Sequence, residues 1–189
     1  MVSALYSVVD RIYISRMPNI GADALAGLGV CFPLIMFNTA ICILIASGSS
    51  ALSTIKMGEG NNKDASKLLN GSFTLLIATG IVLMAVMYLF LSPMLMFFGG
   101  SNNTLPYAVE YMEIYLLGTV VGQISLGMNY FINSQGYARV GMISVLCGAI
   151  ANIVLDPILI FGFNMGIKGA AIATVASQLI SAVWVMVFL

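Results

Sequence analysis

Runs of mostly apolar residues, each near or above the ~20 needed to cross a bilayer as a helix, alternate along the chain with short polar breaks. They fall near 1–16, 26–55, 68–98, 107–135, 139–161 and 169–189, which predicts an all-α integral membrane bundle of about six transmembrane helices, the first and last incomplete. The breaks are Met17, Pro18 and Asn19, then Gly58 to Asn62, Gly99 to Asn103, Gly136, and Gly162 to Gly166, all ordinary turn chemistry. A β-barrel needs strands of alternating polarity, and Leu75 to Met87 shows none, so lipid leaves helices as the spanning element. Several runs exceed the bilayer minimum and predict tilt or protrusion. Met1 to Val9 lacks the basic start of a cleavable signal and Asp10 interrupts it. The first run is too short to span and the last ends at Leu189 within apolar sequence, so both ends are expected to be truncated and 1–189 is read as a single domain.

Composition turns the pattern into a class. Hydrophobic residues make up 60% and charged residues 7%, with a mean hydropathy of +1.04, against about 25% charged in soluble proteins. Lys and Arg number 7 and Asp and Glu 7, so no charge imbalance draws the chain to nucleic acid. Histidine is absent, which leaves carboxylates as the groups best suited to proton binding. Cys31, Cys42 and Cys147 have neither metal nor redox spacing. No phosphate loop, His-Glu-x-x-His or metal cluster is present, and Val9 and Leu155 precede the membrane aspartates where an intramembrane aspartyl protease has Tyr and Gly; no enzyme and no cofactor are expected. Lys56, Lys63, Lys67 and Arg139 lie on one side against Arg16 and Lys168 on the other. That predicts a multi-pass protein of the cell membrane with the N-terminus and loops 56–67 and 136–141 cytoplasmic.

The polar residues inside the runs carry the candidate chemistry. An ionised carboxylate at the bilayer centre costs roughly 2.5 to 3.5 kcal/mol, so Asp10 and Asp156 require an offsetting purpose. A cation that binds and leaves, H+ or Na+, is the commonest one. Asn152 and Asp156 are four apart and share a helix face, where amide oxygen and carboxylate can converge on one cation. Pro157 removes a backbone donor and predicts a kink beside the carboxylate. The competing account is an Asp156 that caps or salt-bridges a helix end, and for Asp10 an interfacial pair with Arg11. Tyr111 and Tyr115 are one turn apart and fit either an interior network or an aromatic belt beside Glu110 and Glu113. Asn129 and Asn133, with Gln123, imply an interior-facing stripe. Small residues at Ala46, Ser49, Ser50 and Ser53, at Gly118 and Gly122, and from Gly166 to Ser177 predict close helix packing.

Together these residues resemble the multidrug and toxic compound extrusion (MATE) family of cation-coupled exporters. The likeness is carried by Val8 to Ile14, Ala24 to Leu28 with Phe32-Pro33, Asn129 to Gly141, Asn152 to Pro157 and Gly166 to Gln178, and covers essentially the whole chain. It implies one six-helix lobe, the N-terminal one, of a twelve-helix transporter that rocks between inward-open and outward-open states, the second lobe coming from a missing C-terminal half or from self-association. It implies a secondary antiporter that exports amphipathic, cationic drugs and toxic compounds in exchange for protons or sodium. Carried over to this chain, Asp10, Asn152, Asp156 and Thr174 would be the cation-coupling residues and the ligands of any Na+, and Tyr111 and Asn129, with Asn133, the polar network and cavity. Arg11 departs from the family, where many members have a neutral residue. The rival readings are a lipid-linked saccharide flippase of related architecture, which would need a basic cavity, and a noncatalytic membrane assembly subunit with Asp10 and Asp156 paired.

Overall fold

A computed structural model describes residues 11–17 and 21–189, and every regular element among them is helical. Residues 11–15 are helical and lead into α1 (Gly21–Gly58), α2 (Asn62–Leu89), a short α3 (Leu91–Phe97), α4 (Leu105–Leu117), α5 (Thr119–Ser134), α6 (Ala138–Pro157), the π-helical turn Ile158–Gly162, and α7 (Gly166–Phe188). The all-α class holds, and the polar breaks fall where the helices end. At Gly136 and Gly166 the chain turns with φ of 89° and 57°, a region that a Cβ disfavours. Asn61 caps α2, its side-chain oxygen accepting from the Asp64 backbone N–H at 3.2 Å.

Two predicted spans are divided. The run 68–98 breaks at Phe90, between α2 and α3, because Pro93 lacks the N–H that a continuous helix would donate to Leu89. The run 107–135 breaks at Gly118, whose N–H donates to Tyr115 O at 3.0 Å in a tightened turn. A Cβ on Gly118 would come within 2.6 Å of Val175 Cγ2, so the missing side chain lets this junction press against α7. Four helices among the described residues are long and apolar enough to cross a membrane: α1, α2, α6 with its π turn, and α7. At 13 and 16 residues, α4 and α5 reach that length only together. The 38 residues of α1 extend about 57 Å and must tilt or protrude.

α7 is the hub, packing on α4, α5 and α6, while α1 packs on α2, α4 and α5. One buried cluster gathers Ile14, Leu34, Leu95, Met112 and Leu116; another gathers Leu76, Met128, Phe131, Ile132 and Val185. Large apolar side chains nevertheless dominate the outside. Leu89 is 77% exposed and Phe97 85%, which suits hydrocarbon and not water. Small residues join the helices, as the sequence predicts: Ser53 Oγ donates to Ala65 O at 3.2 Å between α1 and α2, and Ser181 Oγ to Ser144 O at 3.0 Å between α7 and α6.

Candidate functional site

Inside this bundle lies a cavity of about 1010 Å³, bounded by Arg11, α1, α4, α5, α6 and α7. That is the volume of a site for a drug-sized molecule. Tyr111, Asn129, Asn133 and Thr174 all line it. Asn152 and Asp156 do not. Both have no exposed surface and lie on α6 beyond Ala149, which does line the cavity.

The spacing of four on α6 brings the two side chains together, and Asn152 Nδ2 donates to Asp156 Oδ1 at 3.3 Å. Asn152 Oδ1 is buried and accepts from no donor among the described residues. Pro157 ends α6, and the chain continues as the π turn, Phe163 N–H donating to Ile158 O at 2.9 Å. The predicted kink is thus a local widening, which arises where a proline has removed a donor from the regular ladder. Asp156 stands in the last turn of α6 and is fully buried. Thr174 stands on α7, its hydroxyl donating to Ala170 O at 2.9 Å, so its oxygen is held in place and keeps its capacity to accept. Asp10 lies outside the described residues, as do Pro18 and Asn19.

Tyr111 and Tyr115 are buried and stacked on each other, with ring centroids 5.9 Å apart and planes 16° from parallel, an interior arrangement and not a belt. Glu110 meets Lys168 at 3.3 Å and ties α4 to the start of α7. Asn133 Nδ2 donates to Asn129 Oδ1 at 2.6 Å, and Asn129 Nδ2 to Gly141 O at 3.0 Å, closing a network between α5 and α6.

Sequence reasoning missed a second crossing. Gln123 Nε2 donates to Asn38 Oδ1 at 2.9 Å, and Thr79 Oγ1 donates to Gln123 Oε1 at 3.3 Å, joining α1, α2 and α5 in the interior. Gln123 was visible as an amide in an apolar run, but its partners are 85 and 44 residues away and share no local spacing with it. Arg11, which departs from the family pattern, lines the cavity, its guanidinium carbon 5.6 Å from the centre of the Phe32 ring.

A family model described as MatE matches residues 1–158. The chain belongs to the MatE family. Among curated proteins this MatE chain is similar to the FAD transporter of Shewanella oneidensis, 29% identical over 180 residues that make up 93% of this chain and 39% of that protein. Among solved structures it superposes on an outward-facing multidrug resistance MATE family transporter with a TM-score of 0.91 at 25% identity, covering 99% of this chain and 41% of that one. An inward-facing structure of such a transporter gives a TM-score of 0.91 at 26% identity, covering 98% and 41%. The chain therefore spans about two-fifths of the length of the relatives it matches, as expected of an N-terminal lobe.

Proposed function

We propose that this chain is the first lobe of a secondary antiporter that exports small amphipathic molecules in exchange for H+ or Na+, with the exchanged cation held at Asp156. The observation that carries the reading is the Asn152–Asp156 pair: a carboxylate and an amide oxygen, both fully buried, the latter without a donor among the described residues, on a helix that also lines a cavity of cargo size. A buried carboxylate and a bare acceptor are costly in apolar surroundings and become favourable when a cation meets them. Asp10 is the second coupling carboxylate, Thr174 adds a neutral oxygen, and Tyr111, Asn129 and Asn133 complete the network toward the cavity. A sodium ion would take its oxygens from Asp10, Asn152, Asp156 and Thr174.

The lobe moves as a unit in this reading. Its likeness to both an outward-facing and an inward-facing relative, with TM-scores of 0.91 each, supports rocking between two lobes over refolding within one. For exchange, the cation must bind one state more tightly than the other and so bias the equilibrium. The second six-helix lobe is the expected partner, and the membrane is the cell membrane, with loops 56–67 and 136–141 cytoplasmic. One basic residue on the described wall, Arg11, is fewer than a lipid-linked diphosphate would require, which disfavours the flippase reading.

The decisive experiment is dye efflux from proteoliposomes under an imposed proton or sodium gradient. Wild type should respond to one of the two, and Asp156→Asn should lose the response while remaining folded. Undiminished gradient-driven efflux by Asp156→Asn would sink the site assignment.

A further inference from the structure

We infer that the cavity selects flat aromatic cargo bearing a negative charge, and that Arg11 is the residue that recognises the charge. This deepens the transport reading and rests on it, replacing the cationic cargo that the family resemblance implies. Among the described residues that line the cavity, Arg11 alone carries a formal charge; the others are apolar or neutral and polar. A fixed guanidinium on the wall repels a cation leaving water and attracts an anion. Asp156 is fully buried and does not line the cavity, and in the exchange cycle proposed above it and Asp10 are neutralised by the coupling cation. Among the described lining residues, the charge that remains facing the cargo is the guanidinium.

Its setting suits the task. Arg11 stands over Phe32, at 5.6 Å from the ring centre, and Phe32 is itself 45% exposed, so both present surface to the same space. The ring steadies the cation through its π face, and the guanidinium keeps a planar fork of donors that matches a carboxylate, sulfonate or phosphate in two parallel bonds. Phe32, Tyr130 and the stacked Tyr111–Tyr115 pair line the same cavity and favour offset contact with a planar ring system.

Equilibrium binding of fluorescein and rhodamine 123 to the purified chain, followed by fluorescence polarisation above neutral pH, tests this, because the two dyes share a xanthene ring and differ in the sign of their charge. Fluorescein should bind about tenfold or more tightly than rhodamine 123. Arg11→Gln should raise the fluorescein Kd about tenfold and leave the rhodamine 123 Kd unchanged or lower. Arg11→Lys keeps the charge and loses the fork, so its fluorescein Kd should fall between the two, and it carries the test should Arg11→Gln fail to fold by circular dichroism. Rhodamine 123 binding as tightly as fluorescein, or a fluorescein preference that survives both substitutions, overturns the inference. If the preference is absent while gradient-driven efflux still depends on Asp156, this inference alone fails; if neither dye binds and no gradient drives efflux, the transport reading fails with it.

Discussion

Asn129–Asn133 on α5 and Asn152–Asp156 on α6 are both polar pairs four residues apart in apolar helices, and in the sequence they look alike. In the structure the first is closed: each amide nitrogen has an acceptor, at 2.6 Å within the pair and 3.0 Å to Gly141 O across to α6. The second is open, with a carboxylate where the first has an amide and with Asn152 Oδ1 lacking a donor among the described residues. A satisfied pair holds helices together, whereas a buried acceptor without a donor costs stability and is a place for something that binds it. The same spacing therefore marks a fastener in one place and a candidate ion site in the other.

Substitutions at the two pairs should diverge. The largest effect is expected for Asn152→Leu, which removes a buried acceptor and, with Nδ2, the donor to Asp156 Oδ1: gradient-driven dye efflux per folded protein should fall about tenfold. Undiminished efflux by that variant would show that the α6 pair is not the ion site. Asn129→Leu should act through stability instead, lowering the free energy of unfolding by about 1–3 kcal/mol, as it removes the bonds to Gly141 O and from Asn133 Nδ2. Thermal unfolding followed by tyrosine and tryptophan fluorescence would register that loss, and an unchanged midpoint would erase the distinction between the pairs. Gly141→Ala should destabilise by about 1 kcal/mol, since its Cβ would meet Asn133 Oδ1 at 2.6 Å and Asn129 Oδ1 at 3.0 Å and push the fastener apart. Thr174→Ser should be the mildest, with half-maximal cation concentration for efflux within about twofold of wild type, because the hydroxyl and its bond to Ala170 O are retained. A larger change on titrating efflux against cation concentration would mean that the methyl group, and not the oxygen, is what matters at Thr174.

Much of this was legible along the chain. Helices, their polar breaks and the inward placement of Tyr111, Asn129, Asn133, Asn152, Asp156 and Thr174 follow from hydropathy and from the cost of polar groups in lipid, both of which are local properties. The divided spans were legible in part: Pro93 is a known breaker, but the close approach of Val175 on α7 to Gly118 at the second break depends on packing. The Asn38–Gln123–Thr79 crossing was not legible at all, because three helices far apart in sequence contribute one group each.

By itself, then, the sequence determined that the protein is helical, membrane-bound and equipped with buried carboxamide and carboxylate groups, since a bilayer tolerates only internally hydrogen-bonded spans and leaves polar residues few places to hide. Tertiary packing alone decided which of those groups are satisfied. It closed Asn129–Asn133 with a carbonyl from the next helix, left Asn152 Oδ1 without a donor among the described residues, and set Arg11 over Phe32 on the cavity wall. Hydrogen-bond satisfaction depends on where a second and third helix place their donors, and no periodicity within one helix encodes that.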